Sequence, residues 1–154
     1  QDSEVSIAAI NDTNGNPVFL GRAKPGTDVQ DEAWQIRKIE YDANQAVIRI
    51  LWPEGSTDYS FIWEDFPPLT ITAITRTDPA IITVEDTQDL QEGDKIIVQS
   101  VSGMSEINFD GMNIYTVVSI VGNDIEIDED SSSFSSYTSG GIVNYSSAVN
   151  LDYK

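Results

Sequence analysis

Carboxylates are the main chemically active groups in this 154-residue sequence, because it contains neither histidine nor cysteine. That double absence removes thiol nucleophiles, zinc sites built on Cys or His, and Ser-His-Asp catalysis. The chain carries 26 acidic residues against 8 basic ones, for a net charge of −18. A surface this acidic repels nucleic-acid phosphates and anionic lipid, so we expect neither nucleic acid nor a membrane as a partner.

The densest acidic run is DIEIDED at 124–130. In a strand, alternation places Asp124, Glu126 and Asp128 on one face and the two isoleucines between them on the other. Three carboxylates on one face could bind Ca²⁺ through oxygen ligands. The favoured interpretation is a solvated strand face, because the run lacks EF-hand spacing. Carboxylate-pair glycosidase chemistry has no distinctive motif here either. We therefore predict that the protein is not an enzyme, with no catalytic residues and no cofactor apart from that calcium alternative.

The elements that must position these residues are short β-strands. Apolar and polar residues alternate in AWQIRKIEY (33–41) and AVIRILW (46–52), and the turn-forming DANQ between them predicts a hairpin. Asn14-Gly15 marks a second hairpin turn. From residue 69 onward six further β-rich runs follow, and no long helical period interrupts them. We predict an all-β fold of two small antiparallel units, each a barrel or a sandwich.

The pair Pro67-Pro68 predicts a domain boundary, because proline cannot sit in a central strand. We divide the chain into an N-terminal β unit at 1–66, a small β-barrel at 70–146 and a C-terminal tail at 147–154. The start of the sequence lacks the basic and then apolar pattern of an intact secretory signal. No run of about 18 apolar residues occurs, so we expect no membrane-spanning helix.

The first half of the chain holds all three tryptophans and five of the eight basic residues. We favour a core role for the tryptophans, with interface anchors and a sugar-stacking platform as alternatives. The first half is also the less negative half, which makes it the candidate for contacting another acidic protein. The candidate interface residues are Trp34, Arg37, Lys38, Trp52, Trp63 and Phe66.

Residues from about 71 to 145 resemble the first catalytic-cysteine half-domain of ubiquitin-activating enzymes, which is a small β-barrel. The resemblance rests on Gly93-Asp94 before a strand, on the loop GMSEIN at 103–108, and on Tyr-Thr-Val at 115–117. In this chain Phe109-Asp110 follows the loop's asparagine, where the family usually has glycine. In those enzymes the half-domain is an inserted module, and the adenylating and thioester machinery lies elsewhere. The resemblance therefore implies the fold and not the activity.

The loop itself has the composition of a structured barrel loop. Gly103 and Gly111 allow backbone conformations with positive φ. We expect Met104 and Ile107 to pack the loop against the barrel and Asn108 to hydrogen-bond the loop's own backbone. The loop lacks the Gly-Lys-Ser/Thr of a phosphate-binding loop.

The same module resembles one that recurs in virion proteins of tailed phages, particularly in its serine-rich ending at 131–141. The N-terminal half, with its Gly-x-Ala-x-Pro-Gly start at 21–26 and Trp-Glu-Asp exit at 63–65, resembles a short phage-associated unit. These resemblances imply a structural protein of the virion, made in the host cytoplasm. Capsid decoration (cement) protein is the first interpretation. The alternatives are a tail, neck or fibre-attachment component, and a glycan-binding module. The implied partners are the major capsid protein or another virion protein, and a homo-oligomer is also compatible.

Overall fold

The computed structural model describes residues 6–64 and 67–154, and regular structure in them is almost entirely β. A single short 3₁₀ turn, Ser105–Ile107, is the exception among these residues. No helix in the described part of the chain is long and apolar enough to cross a membrane. The strands are β1 Ser6–Asn11, β2 Pro17–Ala23, β3 Gln35–Tyr41, β4 Val47–Leu51, β5 Leu69–Ile74, β6 Ile81–Val84, β7 Lys95–Ser102, β8 Tyr115–Val121, β9 Asp124–Ile127 and β10 Ser139–Asn144. The prediction of an all-β fold with two antiparallel units is confirmed.

The N-terminal unit comprises residues 6–64 together with 146–154, and its centre is one antiparallel sheet in the order β1-β2-β3-β4. Both predicted hairpins are present. The β1–β2 turn contains Gly15 at a φ of 80°, and the β3–β4 turn is closed by a hydrogen bond of 2.9 Å from Asp42 N to Ala46 O. Positive φ is a conformation that glycine adopts without steric cost, which is why the turn needs Gly15.

One face of this sheet is covered by aromatic side chains. Gly21 lies under Trp34 and Trp63, and a Cβ atom added at Gly21 would stand 2.6 Å from Trp63 Cε3. The two indoles are 6.2 Å apart between ring centroids. Next to them, the rings of Phe19 and Tyr153 lie 5.4 Å apart. Only glycine on β2 leaves room for both tryptophans, and these aromatics form most of the core that so small a unit can build.

The end of the chain differs from the expected tail at 147–154. It packs in the N-terminal unit, where Ala148 and Val149 are buried. Trp52 and Lys154 exchange two backbone hydrogen bonds of 2.9 and 2.8 Å, and the Tyr153 hydroxyl donates to Ala148 O at 2.6 Å. The physical reason is burial, because this segment supplies apolar side chains that complete the covered side of the sheet.

The second unit, residues 67–145, is a closed six-stranded barrel in the order β10-β5-β6-β9-β8-β7. Each of the six β-rich runs recognised in the sequence provides one strand. Closure leaves the barrel without an edge strand. Its interior is filled by aliphatic side chains such as Ile82, Ile96, Val98, Ile125 and Val143, all fully buried.

Two loops of the barrel, at 103–108 and 131–138, pack against each other. The sequence predicted that the first of them packs on the barrel. Met104 and Ile107 are fully buried, and Asn108 makes two hydrogen bonds of 2.9 and 3.0 Å to the backbone of Val101. The glycine of this loop, Gly103, has a φ of 90°. The serine-rich loop lies over it, and Glu106 accepts hydrogen bonds of 2.8 and 3.0 Å from the backbone N–H and hydroxyl of Ser135. The expected packing of Met104 and Ile107 is confirmed, whereas the side chain of Asn108 bonds to the backbone of β7 and not to that of its own loop.

Candidate functional site

Among the described residues, the second face of the N-terminal sheet is less completely covered than the first, although Val18 and Ile39 are buried on it. Side chains alternate between the two faces of a strand, and directly paired residues share a face. The register pairs Ile7 with Arg22, Leu20 with Arg37, and Ile39 with Ile50. We call this face the open face. It includes Ile7, Ala9, Val18, Leu20, Arg22, Gln35, Arg37, Ile39 and Ile50, and Trp52 continues it beyond β4.

Two large aliphatic side chains of the open face, Ile7 and Ile50, remain in contact with water. Ile7 is 63% exposed and Ile50 is 44% exposed. At the edge of the sheet, β4 also leaves Val47 and Ile48 exposed. Isolated exposed apolar residues are ordinary, but a group of them on one sheet marks a surface suited to binding another molecule.

Arg37 is held in a defined position in the middle of this face. Its guanidinium carbon lies 4.9 Å from the ring centroid of Trp52, in a cation–π contact. One of its terminal nitrogens donates to the side-chain oxygen of Gln35 at 3.2 Å. The amide of Gln35 in turn donates to Thr57 O at 2.9 Å. A guanidinium ordered in this way loses less conformational entropy when it binds a ligand.

The open face is basic, whereas the chain as a whole is strongly acidic. Arg22 and Arg37 lie on it, and none of the residues that β1 to β4 place there is acidic. The sheet's one acidic residue, Glu40, is on the covered side and is paired with Arg49 at 2.6 Å. The open face therefore combines aliphatic side chains with two arginines that have no carboxylate beside them in the sheet.

The structure separates the residues that the sequence proposed as an interface. Trp34 and Trp63 are 2% and 0% exposed, so they are core residues and offer no surface to a partner or a sugar. Lys38 points to the covered side, where its amino group is 5.9 Å from the Phe19 ring centroid. Arg37 and Trp52 remain as surface candidates, while Phe66 lies outside the described residues.

Other members of the open face were not among the candidates. Ile7, Arg22 and Ile50 were missed because alternation along a strand shows which side chains share a face and not which face is covered. The available signal was the absence of acids at alternating positions of β2 and β3 in so acidic a chain. The cover that decides between the faces comes partly from Tyr153, far away in the sequence.

The acidic strand β9 has the predicted alternation, with Ile125 and Ile127 fully buried. Its carboxylates are engaged by neighbouring donors. Asp124 accepts from the Thr83 hydroxyl at 2.7 Å, Glu126 from the Ser119 hydroxyl at 3.2 Å, and Asp128 from Thr116 N at 2.8 Å. Within the described residues, no three acidic side chains approach closely enough to hold a metal ion. The three carboxylates proposed for calcium are thus not brought together.

The buried tyrosine of the barrel is a structural residue. Tyr115 donates to Ile107 O at 3.1 Å and accepts from the Asn113 amide at 3.1 Å. Burial raises the pKa of its hydroxyl to about 12, and the nearby acids Glu129 and Asp110 add to the effect. The hydroxyl therefore stays protonated at neutral pH, and it holds the loop between the 3₁₀ turn and β8 against the barrel.

Comparison with known families identifies the barrel. Residues 77–146 match the model of the ubiquitin-activating enzyme E1 FCCH domain. The match covers less than half of the 154 residues and includes strands β6 to β10. The chain therefore carries an FCCH-like module, which confirms the resemblance seen in the sequence of this region. Among curated proteins, none matches the chain.

Proposed function

We propose that this protein is a non-enzymatic structural protein of a tailed-phage virion, and specifically a capsid decoration protein. The observation that carries this proposal is the open face, with Ile7 and Ile50 exposed around an ordered Arg37. Such a face is suited to docking on a preformed protein surface. The phage-like features of both halves of the sequence supply the virion as the place of action.

The distribution of charge also suits a protein that must stay soluble before it docks. A net charge of −18 keeps copies of the chain apart in solution. The open face is an exception to that charge, so the docking surface is not the repulsive part of the molecule. A protein that binds an assembled lattice from outside needs this combination of a repulsive body and one contact surface.

The absence of histidine and cysteine from the sequence supports a role without catalysis, because most nucleophilic and acid–base mechanisms use one of them. The carboxylates of Asp124 and Asp128 accept hydrogen bonds from a neighbouring side chain and from the backbone, which is consistent with a structural role. We assign no cofactor and no catalytic residue.

The test is the copy number of this protein in purified phage particles, measured by quantitative mass spectrometry against the major capsid protein. A decoration protein is expected at a stoichiometry comparable to that of the capsid protein. Roughly a dozen copies, the number expected of a symmetric ring, would instead assign it to the tail, neck or fibre attachment. Absence from the particles would refute the virion role altogether.

A further inference from the structure

The four strands of the N-terminal sheet hold a disproportionate share of the positive charge. They contain Arg22, Arg37, Lys38 and Arg49, which are half of the chain's eight basic residues, and one acid, Glu40. Because Arg49 is paired with Glu40 on the covered side, the unmatched charge of the open face comes from two arginines. The remainder of the molecule is more negative than the total of −18.

The two arginines are diagonal neighbours. Leu20 pairs with Arg37 and Arg22 pairs with Gln35, so the arginines stand on adjacent strands, offset by two residues. Diagonal neighbours across a sheet are about 7–8 Å apart. Two acidic residues at positions i and i+2 of a strand have a similar separation of about 7 Å. Each guanidinium can receive a carboxylate through two parallel hydrogen bonds.

We propose that the open face recognises an acidic protein surface in which two carboxylates about 7 Å apart are surrounded by exposed apolar side chains. This inference rests on the proposed docking role of the face and specifies the chemistry of the partner. Arg22 and Arg37 receive the carboxylates, and Ile7, Leu20 and Ile50 bury against the partner's apolar side chains. The pre-ordered Arg37–Trp52 pair is the centre of the contact.

The acidic body does not prevent such binding at physiological salt. The Debye length there is about 8 Å, so carboxylates farther than that from the contact are largely screened. Charges inside the contact are desolvated and are screened much less. A second copy docked face to face is a poorer occupant, because a two-fold arrangement brings the same arginines towards each other.

The experiment uses the intact chain and three polymers as probes, namely a random copolymer of glutamate and tyrosine, polyglutamate and polylysine. Binding is measured by calorimetry, and the contact is mapped by NMR shifts of backbone amides. We expect the copolymer to bind more tightly than polyglutamate and to shift the amides of Arg22, Arg37 and Ile50. Polylysine should bind the acidic remainder of the molecule and leave these three amides unshifted. An R22E/R37E variant should bind the copolymer at least about tenfold more weakly. A milder R22Q/R37Q variant gives the same answer if charge reversal disturbs folding.

The matched control is R76E/K95E, which changes the net charge equally on the barrel. It should bind the copolymer within about twofold of the unaltered protein. The proposal is refuted by failure of the copolymer to bind, by equal weakening in both double variants, or by shifts confined to the barrel. Equal binding of the copolymer and polyglutamate would refute the apolar part of the recognition.

A second arm separates this proposal from the virion role. Particles that lack the protein are mixed with the unaltered chain and with R22E/R37E. Loss of particle binding in the variant supports both proposals. Binding of the copolymer through the two arginines, without any binding to particles, refutes the virion role and leaves acidic recognition supported. Unchanged particle binding by R22E/R37E refutes this use of the open face while leaving the virion role supported.

Discussion

Replacing Gly103 by alanine should destabilise the barrel through a steric clash that the structure locates. An ideal Cβ on Gly103 would stand 2.3 Å from Ser136 O and 2.7 Å from Thr138 N. Both are backbone atoms, so neither can swing away as the end of a flexible side chain would. The covering loop is also fixed by a hydrogen bond of 3.0 Å from Thr138 N to Ser102 O. The alanine must therefore displace a whole loop.

The expected loss of free energy of unfolding in G103A has two parts, backbone strain and steric overlap, and a control variant can separate them. Gly103 has a φ of 90° and Gly93 a φ of 91°, but an added Cβ at Gly93 meets nothing within 4 Å. Alanine in left-handed backbone costs about 1–2 kcal/mol, and overpacking adds about 1–3 kcal/mol. We expect G93A to lower the free energy of unfolding by about 1–2 kcal/mol and G103A by about 2–5 kcal/mol.

The assay is urea unfolding of both variants, followed by far-UV circular dichroism and by hydrogen exchange of barrel amides such as Ile97. All three tryptophans lie in the N-terminal unit, so their fluorescence does not report on the barrel directly. The decisive quantity is the difference in free energy of unfolding between G93A and G103A. If G103A is no more destabilising than G93A, the close approach of the serine-rich loop is not a constraint on stability, and the reasoning fails.

Three further predictions concern pH and the end of the chain. The raised pKa of Tyr115, about 12 against 10 unfolded, stabilises the fold fully below pH 10, and this contribution of about 3 kcal/mol is lost as the pH rises through 12. In Y115F the free energy of unfolding should fall less steeply as the pH rises above 10. Some of the fall should remain, because burial also raises the pKa of Tyr145 and Tyr153. The pKa of Glu106 is lowered by hydrogen bonds from its own backbone N–H and from that of Ser135, so protection of the Ser135 amide should fall as the pH drops through that pKa. E106Q should show protection that does not depend on pH in this range, and a wild-type profile without an acid step would contradict the assignment. Removing the Tyr153 ring from Phe19 with Y153A should lower the N-terminal unit's free energy of unfolding by about 3 kcal/mol by tryptophan fluorescence. K154A, whose ion pairs are exposed, should change it by less than about 0.5 kcal/mol, and equal losses in the two variants would exclude ring packing as the cause.

Most of the fold could be predicted from local patterns in the sequence. The alternation in β9 predicted which side of the strand is buried, and Asn14-Gly15 and DANQ predicted two hairpins that are present. The burial of Met104 and Ile107 was predicted from the composition of their loop. These features depend on residues within about ten positions of one another, where turn chemistry and side-chain period act.

Features that depend on distant residues were not accessible in the same way. The segment at 147–154 forms no strand of the sheet, and it is held by the isolated bridge between Pro53 and Tyr153 and by the contact of the Tyr153 ring with Phe19. Its docking is decided by apolar burial against β2, which a pattern within the segment does not encode. The same long-range packing determines that Trp34 and Trp63 are core residues and that Ile7 and Ile50 are exposed. Of the candidate interface residues, the two buried tryptophans are core residues, and an interface role for the partly exposed Arg37 and Trp52 stays a prediction.

The barrel is inserted within the sequence of the N-terminal unit. Residues 67–145 interrupt the N-terminal unit, and the chain leaves and re-enters that unit at adjacent points. Ser147 N donates to Glu64 O at 3.3 Å, and the Ser146 hydroxyl donates to Trp63 O at 2.6 Å. A module whose two ends meet in this way can be carried by another domain without altering it, because its ends fit one exposed connection. The family match, at residues 77–146, lies in that inserted module except for Ser146. Every residue of the open face lies outside the match, so the family match bears on the barrel, and the binding role proposed for the sheet is argued from the sheet's own residues.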